Sequence, residues 1–121
     1  MTVLDASALL AFLKDEPGAD VVRKLLDEGA SCASINWSEV VQKLRFAGAD
    51  WTLAAALLDS WSLTVEPVTR GDAEWAAERW KRSENLSLAD RLCLALGARL
   101  DVEVYTADRE WGGFERVRLI R

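Results

Sequence analysis

The chain has 121 residues, half of them apolar and 29% charged, which fits one soluble domain with a proper hydrophobic core. Its net charge of −5 argues against sequence-independent nucleic-acid binding through a uniformly basic surface. The absence of histidine removes His-based triads, His general bases and His metal sites, so any metal must sit among oxygen ligands, which favours Mg²⁺ or Mn²⁺.

No apolar run approaches the ~18 residues of a membrane span. The start carries no basic segment followed by a long apolar stretch, so the cytoplasm is the expected compartment and no membrane partner is expected. Cys32 and Cys93 lie far apart, each among apolar residues, and read as buried small hydrophobes.

Val3-Leu4 reads as a short buried strand, followed at once by Asp5 and a helix from Ala6 to about Phe12. Asp5 reads either as the N-cap of that helix or as a carboxylate at the ligand-binding edge of an α/β sheet. Asp15-Glu16-Pro17-Gly18 is a turn, and Val21, Val22, Leu25 and Leu26 mark a second helix over 19–28, stopped by Gly29. Ser31–Ser34 is expected as a strand. Asn36 is expected to cap a third helix running to about Ala47, with Glu39 completing a capping box. A fourth helix is predicted over 50–61, and an alternating strand over 63–68. Helices five (69–82) and six (87–100) follow, the latter opened by Ser87-Leu88-Ala89-Asp90. A strand over 102–106 ends in Ala107-Asp108. Trp111–Phe114 is read as a turn before a last strand over 117–120.

Strands alternating with helices predict an α/β fold, a parallel sheet with helices on both faces, in a single domain over 1–121. In such a sheet Asp5, Glu39 and Asp108 converge on the edge where the strands end, and Asp90 joins them at the start of helix six. Each acid alone is explained by capping or the helix dipole. Together, four carboxylates repel one another unless a cation neutralises them. They are therefore a candidate Mg²⁺ or Mn²⁺ site, suited to phosphodiester hydrolysis by metal-activated water.

The blocks Val3-Leu4-Asp5-Ala6-Ser7-Ala8, Asn36-Trp37-Ser38-Glu39-Val40, Leu86 to Leu96 and Tyr105 to Trp111 resemble, in order and spacing, the motifs of PIN-domain ribonucleases, in particular VapC-type toxins. The resemblance implies a three-layer α/β/α sandwich on a parallel sheet of about five strands. It implies a metal-dependent endoribonuclease toxin of a type II toxin–antitoxin system, with Asp5, Glu39, Asp90 and Asp108 as the acidic site residues. Asp5, Asp90 and Asp108 would hold the metal, with direct or water-mediated binding open for the last two. Ser7 and Thr106 match supporting hydroxyl positions. The resemblance also implies a cognate antitoxin, an RNA substrate, a homodimer and a toxin–antitoxin hetero-oligomer. The helices from Trp37 to Trp61, rich in Trp and Leu, are the expected antitoxin groove and part of the dimer contact. Arg91 and Arg109 border the acids as RNA-phosphate contacts or as solvated arginines.

A PIN-fold protein that binds RNA or antitoxin with little turnover is the alternative. A receiver or aspartyl-phosphatase domain fits less well, because the second Asp such a phosphatase usually places two residues on is here Ser7.

Overall fold

The computed structural model describes residues 1–121. Its centre is a five-stranded, wholly parallel sheet built from β1 (Thr2–Leu4), β2 (Ala30–Ala33), β3 (Thr64–Glu66), β4 (Val104–Thr106) and β5 (Val117–Leu119), in the spatial order β3-β2-β1-β4-β5. The chain leaves β1 towards β2 and β3 on one side and returns to β4 and β5 on the other. The order of strands therefore reverses beside β1, and the crevice at such a switch point is where open α/β sheets bind ligands.

Strand alternation sends neighbours to opposite faces. Leu4 packs with Leu9, Val22, Leu26, Val40 and Leu58, under α1 (Ala6–Leu13), α2 (Ala19–Glu28), α3 (Ser34–Phe46) and α4 (Trp51–Ser60). Val3 faces the other way, into Cys93, Leu94, Leu96, Val104 and Val117 beneath α6 (Leu88–Leu100), with α5 (Arg70–Arg79) packed against α6. The expected α/β/α sandwich with about five parallel strands is the observed architecture. Both cysteines are free and buried, and burial pushes the Cys32 thiol up to about 12.

Gly97 fixes how closely α6 lies on the sheet: a Cβ there would sit 2.3 Å from Val104 Cγ2. With no side chain in the way, α6 approaches β4, and its first turn, with Asp90, lies beside the ends of β1 and β4.

Several boundaries differ from expectation. α3 starts at Ser34, straight out of β2. Its N-cap residue is Ala33, without a side-chain cap, so Asn36 is not the cap and forms no capping box with Glu39. α5 stops at Arg79 rather than Arg82, although its Thr69–Asp72 capping box forms. β3 is confined to Thr64–Glu66, since Pro67 has no N–H to continue the ladder. The Trp111–Phe114 turn is preceded by a 3₁₀ helix over Arg109–Trp111, and its period of three escapes a search for helical spacing of 3.6. Of the six tryptophans only Trp111 is buried in the core.

Candidate metal centre

Asp5 ends β1 and caps α1, so its carboxylate is fixed by the backbone on both sides. Oδ1 accepts from the Ala8 N–H at 2.8 Å and the Ser7 hydroxyl at 2.7 Å, and Oδ2 accepts from the Thr106 hydroxyl at 2.6 Å. Thr106 in turn accepts from the Asp108 N–H at 3.0 Å, while Ser7 Oγ accepts from the Ala107 N–H at 2.9 Å. The two hydroxyls thus sew the end of β1 to the end of β4. Burial pushes the Asp5 carboxyl up to about 6, against the three hydrogen bonds that lower it, and the Asp90 charge adds to the rise.

Asp90 is reached from the other face. Its Oδ2 accepts from the Ser87 N–H at 2.9 Å, and its own N–H donates to Ser87 Oγ at 3.0 Å, a complete capping box for α6. Burial again raises its proton affinity, and the Asp108 charge contributes in the same direction. Asp108 caps the 3₁₀ helix, its Oδ1 accepting from the Glu110 N–H at 2.9 Å. Glu39, one turn into α3, accepts from Asn36 Nδ2 at 2.9 Å through Oε1.

These four carboxylates, from four separate segments, line one cavity of ≈ 140 Å³ together with Ser7, Asn36, Lys43 and Trp111. Thr106 acts from behind, fully buried beneath Asp5. The two arginines differ. Arg91 turns to α5, where Nη1 donates to the Ala76 carbonyl at 2.7 Å, and its guanidinium does not line the cavity. Arg109 is exposed beside Asp108.

Four cavity residues were not among the expected site residues: Ala6, Asn36, Lys43 and Trp111. The signal for Lys43 was its position one turn after Glu39, on the same helix face. A larger cavity of ≈ 540 Å³ lies between α5, α6 and the 113–116 turn. Its Arg79 and Glu84 pair with each other, so it offers no convergent reactive set.

The donor set is all oxygen and strongly acidic, as Mg²⁺ and Mn²⁺ require. No three acids are gathered tightly enough to form a ready-made ligand cluster.

The PIN domain family model matches residues 2–119. No curated protein matches the chain in sequence. Among solved structures, the fold is similar to a chain of a toxin–antitoxin complex from Klebsiella pneumoniae, with a TM-score of 0.82 and 17% identity, covering 100% of this chain and 98% of that one. It is similar to VapC20 of Mycobacterium tuberculosis, a sarcin–ricin loop cleaving toxin, with a TM-score of 0.72 and 20% identity over 98% of this chain and 99% of that one. It is also similar to PAE2754 from Pyrobaculum aerophilum, with a TM-score of 0.67 and 21% identity over 98% and 83%.

Proposed function

The chain belongs to the PIN domain family, and from that premise we propose that it is a divalent-metal-dependent endoribonuclease, the toxin of a toxin–antitoxin pair. The observation that carries the reading is the single cavity faced by Asp5, Glu39, Asp90 and Asp108. Burial and the neighbouring acid charges disfavour the ionised forms of Asp5 and Asp90 there, a cost that a cation would offset.

Asp5, Asp90 and Asp108 would hold Mg²⁺ or Mn²⁺, with Glu39 completing the acidic wall. When bound, the cation supplies positive charge for a phosphodiester and activates water against it. The chain's own residues do the rest. Ser7 and Thr106 keep the Asp5 carboxylate aimed and partly offset the cost of burying it. The capping box holds Asp90 through Oδ2. Arg109, exposed at the rim, is the phosphate contact of this reading; Arg91 instead supports α6 through Ala76.

The test is incubation of the purified chain with RNA in Mg²⁺ and in EDTA, beside Asp5→Asn. Cleavage in Mg²⁺ that EDTA and the variant both abolish is expected. Cleavage that survives EDTA would sink the mechanism.

The proposed antitoxin partner follows from the Klebsiella complex and from the apolar side chains that α3 and α4 leave exposed. Phe46 and Leu53 are largely open, and Leu57 and Trp51 partly so. Covering such side chains is what a hydrophobic partner segment does. Homodimerisation through part of the same face belongs to the proposal. The chain has no helix long and apolar enough to cross a membrane.

A second reading is a PIN-fold protein that binds RNA or antitoxin with little turnover, and the loose spacing of the acids favours it. Cellular toxicity retained by Asp5→Asn and Asp90→Asn would select it over the nuclease.

A further inference from the structure

Asn36 is buried to 1% of its exposed surface and lies in the wall of the acidic cavity. Its Nδ2 is used twice, donating to Glu39 Oε1 at 2.9 Å and to the Ala89 carbonyl at 3.3 Å. The first bond stays within α3. The second crosses to α6, one residue before Asp90. One amide therefore links the two helices that carry Glu39 and Asp90. Its other end is unsatisfied: Oδ1 is buried and has no partner within the chain.

A buried amide oxygen without a partner is expensive, and buried polar groups in folded proteins are almost always paired. Asn36 does not cap α3, so capping does not explain it. An apolar residue of similar size would fill the space without that cost. What the amide adds is a donor that holds Glu39 and reaches the Ala89 carbonyl at the start of the Asp90 helix.

We propose that Asn36 is a positioning residue of the metal centre, its Nδ2 locking Glu39 against the Asp90 helix. The inference rests on the metal-nuclease reading. Side chains that orient ligands in this way are worth roughly 10–100-fold in metal affinity.

The experiment is Mn²⁺ titration of the full chain by calorimetry, without RNA, for the wild type, Asn36→Leu, Asn36→Ser and Glu39→Gln, with each fold checked by circular dichroism. Leu keeps the volume and removes both polar atoms. Ser retains a polar group too short to reach Glu39, and it stands in if the Leu variant does not fold. The expected result is a Mn²⁺ affinity lowered roughly tenfold or more in a folded Asn36 variant. The loss is expected to shrink when the same change is made in the Glu39→Gln background, because part of it runs through Glu39. A folded variant that melts lower yet binds Mn²⁺ as the wild type does shows a merely structural tie between α3 and α6 and overturns the proposal. An equal loss in the Glu39→Gln background overturns the positioning role. A wild-type chain that binds no Mn²⁺ overturns the metal-nuclease reading itself, and this inference with it.

Discussion

The Thr106 hydroxyl donates to Asp5 Oδ2 at 2.6 Å across 101 positions of sequence, joining the ends of two adjacent parallel strands at the point where the sheet order reverses. The bond sets the direction of the Asp5 carboxylate and takes up one of its oxygens in the neutral and charged forms alike. It also ties the charge state of Asp5 to the geometry of β4, and through the Asp108 N–H to the next acid along.

Asp5 gives the chain a pH dependence of unusual sign for an aspartate. Its folded value, about 6, lies above its ordinary 3.8. The stability it contributes is therefore fully present below the unfolded value and is lost as pH rises through about 6. In EDTA, raising the pH from about 5 to about 8 is expected to cost the wild type on the order of 1 kcal/mol relative to Asp5→Asn. Urea melts of both proteins at the two pH values measure this. A wild type that gains on Asp5→Asn as the pH rises would contradict it.

Thr106→Val keeps the shape and removes the donor to Asp5 together with the acceptor for the Asp108 N–H. Leaving buried polar groups unpaired costs about 1–3 kcal/mol. Losing a hydrogen bond that lowers the Asp5 value raises it further, so the cation must compete with a more tightly held proton. The pH at which Mn²⁺ begins to raise the melting temperature is expected to move upward in Thr106→Val and to return in Thr106→Ser. Thermal shifts recorded from about pH 5 to pH 8 read this directly.

Capping and site chemistry turn out not to compete. Asp5, Asp90 and Asp108 each give one oxygen to a backbone N–H at the start of a helix, which is why each reads as an ordinary cap in the sequence. The pattern that pointed to a candidate site was their joint placement at strand ends and helix starts on one edge, and the structure brings them to one cavity. Asn36 was misread because Asn three residues before Glu imitates a capping box, whereas Ala33 passes from β2 into α3 with its backbone alone. Trp111 was hidden by the glycines after it and by the short period of its 3₁₀ turn. Lys43, one turn after Glu39, looks like an ordinary i,i+4 pair on a solvated helix face, and only the cavity gives that spacing another meaning.

Asp90→Asn separates the cap from the charge. Asn can still accept from the Ser87 N–H, so α6 keeps its capping geometry. The variant is expected to melt in EDTA close to the wild type, because burial already disfavours the Asp90 charge. It is expected to lose the stabilisation that Mg²⁺ gives the wild type, about 2.7 kcal/mol at a hundredfold excess over the dissociation constant. Asp90→Ala should keep the Ser87 cap but lose the acceptor of the Ser87 N–H, a further cost of about 1 kcal/mol in EDTA. Equal Mg²⁺ stabilisation of Asp90→Asn and wild type would remove Asp90 from the metal set.

Lys43 lines the acidic cavity and also the neighbouring groove formed with Lys14, Gln42 and Phe46. Its ammonium is exposed and makes no ion pair with an acid, so it is free to sit near the carboxylates when no cation is present. Two like charges a few ångströms apart at the protein surface repel by about 1 kcal/mol or more, depending on solvent screening. Lys43→Met is therefore expected to tighten Mn²⁺ binding roughly fivefold in the absence of RNA. The same change removes a positive charge from the only cavity where a phosphodiester would meet the acids, so RNA should bind more weakly and with a shallower salt dependence. Calorimetry with Mn²⁺ and filter binding of RNA at two salt concentrations measure the two arms. Opposite shifts in the two affinities would place Lys43 as the group that hands its position to the metal and its charge to the phosphate. Weaker binding of both ligands would mean that it only supports the fold of the cavity wall.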